Sequence, residues 1–264
     1  MPGGGSDRAR QGLAMGWTAT PARAVLARLR SLADPAKVSG MARYGISTAG
    51  TLGVQVAELR RIAREIRRGT REERHALALA LWDSGVHEAR ILAALVDDPA
   101  LVTAAQAERW ARDLDSWAVC DQLCANLLDR APFAFGKARA WAEREEPFVK
   151  RAGFALMARL AVHERKAPDA DFVPFLELAE NEAGDDRNPV KKAVSWALRQ
   201  IGKRTPGLRR RAMAVARRIA RQGSRSARWI ASDVLRELDR AAPRGGRAGQ
   251  PRTRAAIRPS GATA

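Results

Sequence analysis

The chain has 264 residues, with 47 Lys and Arg against 29 Asp and Glu, hence a formal charge of +18 and a pI near 11.4. Such an excess points to a polyanionic partner, and the length is ample for a sizeable core in one extended or two compact domains. No apolar run approaches the ~20 residues that span a bilayer, and Met-Pro-Gly-Gly-Gly-Ser lacks the basic-then-apolar order of a secretory signal, so a cytoplasmic protein without membrane contact is expected.

Residues 1–20 are Gly-rich and are expected to be disordered. From 21 to 240 nearly everything reads as helix, because Ala, Leu, Arg and Glu dominate and β-branched alternation is scarce. Over 56–67, Val56, Leu59, Ile62, Ala63 and Ile66 form an apolar stripe among Arg60, Arg61, Arg64 and Arg67. Breaks at Pro99, Pro132, Pro147, Pro168, Gly184, Pro189 and Pro206 cut the middle of the chain into helices of about 10 to 18 residues. The 206–221 stretch repeats the pattern, with Leu208, Ala212, Val215 and Ile219 on one face. Between Lys203 and Arg228 there are ten basic residues and no acidic one. Residues 241–264 carry five arginines with Gly and Pro and no acid, which predicts a disordered basic tail. The whole is all-α, and its irregularly spaced helix pairs predict a degenerate α-solenoid rather than a plain helical bundle.

Cys120 and Cys124 lie one turn apart on a predicted helix, which disfavours a disulfide, and no histidine stands near them to complete a zinc site. His75, His87 and His163 are scattered without metal-ligand spacing, so no metal is assigned. No phosphate-cradling glycine loop or nucleophile elbow is visible, and no other cofactor is expected. Trp17, Trp82, Trp110, Trp141 and Trp229 are assigned to helix packing.

One set of residues stands apart. Trp117 and Asp121 are four residues apart, and Trp196 and Arg199 three, which places each pair on one helix face. The steps from Trp117 to Arg151 and from there to Trp196 are 34 and 45 residues, the range of helical-hairpin repeats. Stacked repeats would carry two indoles, a carboxylate and two guanidinium groups to one wall. Taken singly, each of these residues is an ordinary core aromatic or surface charge.

Together they resemble the DNA alkylation repair family of HEAT-like DNA glycosylases, the AlkD-type enzymes. Met-Ala-Arg-Tyr at 41–44, Leu52-Gly53-Val54, Leu81-Trp82-Asp83 and His87-Glu88-Ala89 are similar to successive family blocks. Trp117 and Asp121 fall on the catalytic Trp-x-x-x-Asp, Arg151 on a DNA-contacting arginine, and Trp196 with Arg199 on Trp-x-x-Arg. The likeness covers roughly 38–240 and departs at Ser116 and Ala118, where the family places an aromatic and an Asp.

The resemblance implies a concave, HEAT-like DNA-binding surface, and a monomer is the simplest expectation. It implies excision of N3- or N7-alkylated purines from duplex DNA, with no base-flipping pocket and a nucleoid-associated location. Asp121, Trp117 and Trp196 would be catalytic. Arg151, Arg199, Lys150 and Tyr44 would contact DNA, Tyr44 serving equally as a packing or backbone contact. A non-catalytic HEAT-like binder of DNA structures is the alternative, and a protein-binding scaffold is disfavoured by the Arg and Trp on the candidate wall.

Overall fold

The computed structural model describes residues 21–240, and every regular element among them is helical. The segments expected to be disordered, 1–20 and 241–264, lie outside the described residues, as does Trp17. The α-helices are α1 (Ala22–Ser31), α2 (Pro35–Ala42), α3 (Val56–Ile66), α4 (Arg71–Asp83), α5 (His87–Val96), α6 (Ala104–Arg112) and α7 (Trp117–Asn126). They continue as α8 (Ala134–Ala142), α9 (Pro147–His163), α10 (Val173–Asn181), α11 (Asn188–Arg204), α12 (Pro206–Ala220) and α13 (Arg225–Arg240).

Local chemistry sets these boundaries. Thr70 and Glu73 close a reciprocal capping box at the start of α4. Thr103, Ser116 and Thr205 lend side-chain oxygens to the first turns of α6, α7 and α12. Pro147 and Pro206 open α9 and α12, where the missing N–H would have had no partner in any case. The prolines expected as breaks therefore act as helix starts at these two positions.

The helices form two layers, and side chains bridging neighbours reveal the order. In one layer Arg67, after α3, donates to the Leu95 carbonyl of α5, and the Cys120 and Cys124 thiols of α7 meet the Phe148 and Ala152 carbonyls of α9. Arg151 joins α9 to α7 and α11, and Arg199 joins α11 to α13. In the other layer Trp82 of α4 stacks on Trp110 of α6 with centroids 4.2 Å apart. Glu108 of α6 receives Lys137 and Trp141 of α8, Phe135 of α8 packs on Phe175 of α10, and Glu180 of α10 pairs with Arg218 of α12. Bridges such as Cys124–Ala152, Arg151–Pro189 and Arg218–Glu180 span 28 to 38 residues, the period of a helical hairpin. The fold is an α-solenoid of HEAT-like hairpins, with odd-numbered helices from α3 onward inside and even-numbered ones from α4 outside.

Apolar side chains between the layers form one continuous core. At Gly153 the backbones of α8 and α9 come so close that a Cβ would lie 2.4 Å from the Ala142 nitrogen. Two of the blocks singled out in the sequence meet here for structural reasons. The buried Glu88 carboxylate accepts the backbone N–H groups of Leu52, Gly53 and Val54 at 2.9, 2.7 and 3.3 Å, pinning the loop before α3 to α5. Gly53 has φ +80°, and a Cβ there would lie 2.4 Å from the Asp34 carbonyl oxygen.

Much of the acid-free basic run falls on α12, in the outer layer, where Arg210, Arg211 and Arg217 are exposed. Trp82, Trp110 and Trp141 are core residues as expected, but Trp229 is 41 % exposed.

Candidate nucleic-acid interface

The site is built on the inner layer around α7. Ser116 caps this helix, its Oγ accepting the Ala118 N–H at 3.2 Å, and is itself fully buried. One of the two departures from the family pattern thus holds the first turn that presents Trp117. The Trp117 indole is half-exposed, and its Nε1 donates to the Tyr44 carbonyl at 2.9 Å, tying α7 to the turn after α2. The Tyr44 ring remains open to solvent.

One turn on, Asp121 meets Arg151 of α9. The Arg151 Nε lies 2.9 Å from Oδ1 and Nη2 lies 2.7 Å from Oδ2, while Nη1 donates to the Pro189 carbonyl at 2.7 Å. The guanidinium lies over the Trp117 ring, 6.0 Å from its centroid. Burial pushes the Asp121 carboxyl above the usual aspartate range, and the charge and hydrogen bonds of Arg151 offset only part of that push. The nearby positive charge does favour the ionised form, but desolvation outweighs it.

Asp121 opens into a cleft of about 520 Å³ that it shares with Arg60, Arg67, Arg130, Arg159, His163 and Trp196. Arg60 on α3 and Trp196 on α11 are not neighbours within the layer, yet they line one space, so the inner layer curves around it. The structure thus brings Trp117, Asp121, Arg151 and Trp196 together.

The other two cations are engaged elsewhere. Arg199 places Nη1 2.5 Å from Glu237 and Nε 3.4 Å from Asp233, both on α13. Lys150 is buried, with Nζ 2.6 Å from Glu182 and 3.8 Å from Asp185. Neither presents the free charge that a phosphate contact requires without first giving up a carboxylate.

Sequence reasoning missed a second cluster in the same cleft. Asp129 has no exposed side-chain surface, and its Oδ2 lies 2.6 Å from His163 Nδ1 and 3.5 Å from Arg159 Nε. Arg159 Nη2 in turn sits 2.6 Å from His163 Nε2. Burial raises the Asp129 carboxyl pKa, with His163, Arg159 and Arg130 opposing it. The signal was present, since Arg151, Arg159 and His163 recur at multiples of four on α9 and share one stripe. Metal-ligand spacing alone could not find it. Among the described residues no group of three His, Cys, Asp or Glu could hold a metal ion, and no helix is long and apolar enough to cross a membrane.

Fold and site together define a curved helical-repeat solenoid whose inner layer holds an arginine-rich cleft around Asp121 and Trp196. The chain matches the family model described as DNA alkylation repair enzyme over residues 25–238, and it belongs to that family. It is also similar to a solved structure from a new family of proteins related to the HEAT-like repeat DNA glycosylases with affinity for branched DNA structures. That likeness has a TM-score of 0.69 and 18% identity, covering 84% of this chain and 95% of the other, and it shows the fold. No curated protein matches the chain.

Proposed function

We propose that the protein is a monofunctional, monomeric alkylpurine DNA glycosylase, hydrolysing the N-glycosidic bond of N3- or N7-alkylated purines in duplex DNA. The observation that carries this reading is Asp121, a desolvated carboxylate and the sole acidic residue lining a cleft that also holds four arginines, a histidine and a tryptophan. Its partial exposure to the cleft favours a chemical role beyond its pairing with Arg151.

The chemistry suits these groups. Alkylation at N3 or N7 makes the base cationic, so it leaves as a neutral purine and needs no general acid. Positive charge develops instead on the deoxyribose. Asp121, already oriented by Arg151, stabilises that oxocarbenium-like sugar at the outer edges of its carboxylate and orders the water that attacks C1′. Trp117 and Trp196 turn their indoles toward the sugar and backbone and favour the same charge through their π faces. Arg151, locked by Asp121 and Pro189, positions the carboxylate and uses its remaining N–H donors on the DNA backbone. No lysine is among the cleft-lining residues described, which favours attack by water over a Schiff base and leaves an abasic site.

The test is release of 7-methylguanine from duplex DNA by the wild type and by Asp121→Asn, which keeps the shape and removes the charge. The expected loss is about 10²- to 10³-fold, with DNA affinity changed only a few-fold. Equal release by both proteins would remove the carboxylate mechanism. A folded wild type that binds DNA but releases neither 7-methylguanine nor 3-methyladenine above spontaneous depurination would establish the second reading, a non-catalytic binder of DNA structures. The fold shared with proteins of branched-DNA affinity supports that alternative.

A further inference from the structure

Trp229 lies near the start of α13 and is 41 % exposed, whereas Trp82, Trp110 and Trp141 are at most 1 % exposed. A lone exposed apolar side chain is ordinary, but this one has company. Lys191, from the first turn of α11, holds its Nζ 6.0 Å from the centre of the indole ring. Among the described residues Lys191 makes no salt bridge, unlike Lys150 and Lys203, which face Glu182 and Glu237. Lys192, beside Lys191 on α11, and Arg225 and Arg228, within one turn of Trp229 on α13, are also exposed. Near the middle of the same inner layer Trp117 carries Arg151 at 6.0 Å, so an indole under a cation occurs twice along the layer.

An exposed indole beside an unpaired ammonium fits one ligand class well, a nucleotide whose base is free to stack. Bases inside a duplex have both faces covered by their neighbours and cannot use such a ring. We propose that Trp229 and Lys191 form a second nucleic-acid site, in which the indole stacks on an unpaired base of single-stranded DNA and the ammonium holds the adjoining phosphate. With helix axes 8–10 Å apart, α13 lies roughly 25–30 Å along the layer from α7, or about eight nucleotide steps of 3.4 Å from the cleft at Asp121. The site therefore engages DNA that becomes single-stranded beyond the duplex gripped at the cleft. This inference rests on the DNA-binding part of the function proposed above and not on base excision.

The experiment measures affinity of the full chain for a blunt duplex and for the same duplex with an oligothymidine extension at either end. The extension should tighten binding about 5- to 100-fold, the range that one stacked base supplies. Trp229→Leu, which keeps an apolar side chain but cannot stack, should remove that gain while leaving blunt-duplex affinity, thermal stability and 7-methylguanine release unchanged. Trp229→Phe should retain most of the gain, and Lys191→Ala should lose part of it. No gain in the wild type, or equal weakening of both DNAs by a folded Trp229→Leu, would overturn the site. Loss of base release with the extension effect intact would count against the glycosylase reading alone, and the converse against the stacking site alone.

Discussion

Arg151 grips Asp121 as a fork, Nε to Oδ1 at 2.9 Å and Nη2 to Oδ2 at 2.7 Å, so a single contact between α9 and α7 orients the candidate catalytic carboxylate. Only 8 % of the arginine side chain and 23 % of the aspartate side chain is exposed. Arg151→Met would leave the carboxylate desolvated and without a counter-charge. The expected cost is about 2–4 kcal/mol in urea unfolding, below the full value for a wholly buried pair because Asp121 still touches solvent. Asp121→Asn, which retains a hydrogen-bonding partner for the guanidinium, should cost less.

The same pair sets a pH dependence. Burial raises the Asp121 pKa above its unfolded value, so base release, which in the proposed mechanism needs the ionised form, should begin to fall at a higher pH than a free aspartate would dictate. Stability runs the other way. A raised carboxyl favours folding below its unfolded pKa, and that contribution disappears as pH rises through the folded pKa. Protonation that stops the proposed base release should therefore not unfold the protein, and single-turnover rates compared with melting curves across pH 4 to 7 check both signs. In Arg151→Met the acid limb should move to still higher pH.

Glu108 makes the opposite case. Burial would raise its carboxyl, but hydrogen bonds from Lys137, Trp141 and Arg144 win and hold it down at about 2. Its contribution to stability is present above the unfolded glutamate pKa and is lost as pH falls through the folded value. The melting temperature of the wild type should exceed that of Glu108→Gln by a constant margin above about pH 4.5, and the margin should vanish near pH 2.

Gly153 admits no side chain. Gly153→Ala would drive a methyl into the Ala142 backbone at 2.4 Å, where no flexible side chain can yield. Forcing α8 from α9 should cost about 1–3 kcal/mol or more. Because Arg151 sits two residues away on α9, base release should fall along with the urea midpoint.

Some of this was legible in the sequence because it is local. The stripe from Val56 to Ile66 is α3, and Pro147 and Pro206 mark the starts of α9 and α12 within a residue. Trp117 and Asp121 share a face because one helical turn separates them. What could not be read is which cations are already spoken for. The partners of Arg199 and Lys150 lie 38 and 32 residues away, on α13 and in the turn after α10, and their register depends on how far each hairpin rotates against the next. The exposure of Trp229 belongs with these, since its helical pattern resembles that of any core tryptophan. Glu88 shows the reverse difficulty, a conspicuous residue in a matching block whose work is to hold a loop.

The engaged cations also change how the protein should travel on DNA. Arg199 faces Glu237, and Lys150 faces Glu182, before any phosphate arrives. When a phosphate displaces such a carboxylate, the DNA sheds a salt ion and the freed glutamate recruits one, so the exchange yields little net release. In the proposed DNA complex the formal charge of +18 therefore overstates the number of phosphates held at once. If Arg199 contacts DNA as proposed, Glu237 is a resident substitute for the backbone, at hand to reclaim it. Such a grip would be readily surrendered, as the proposed glycosylase would need in order to pass many undamaged nucleotides without lingering on any.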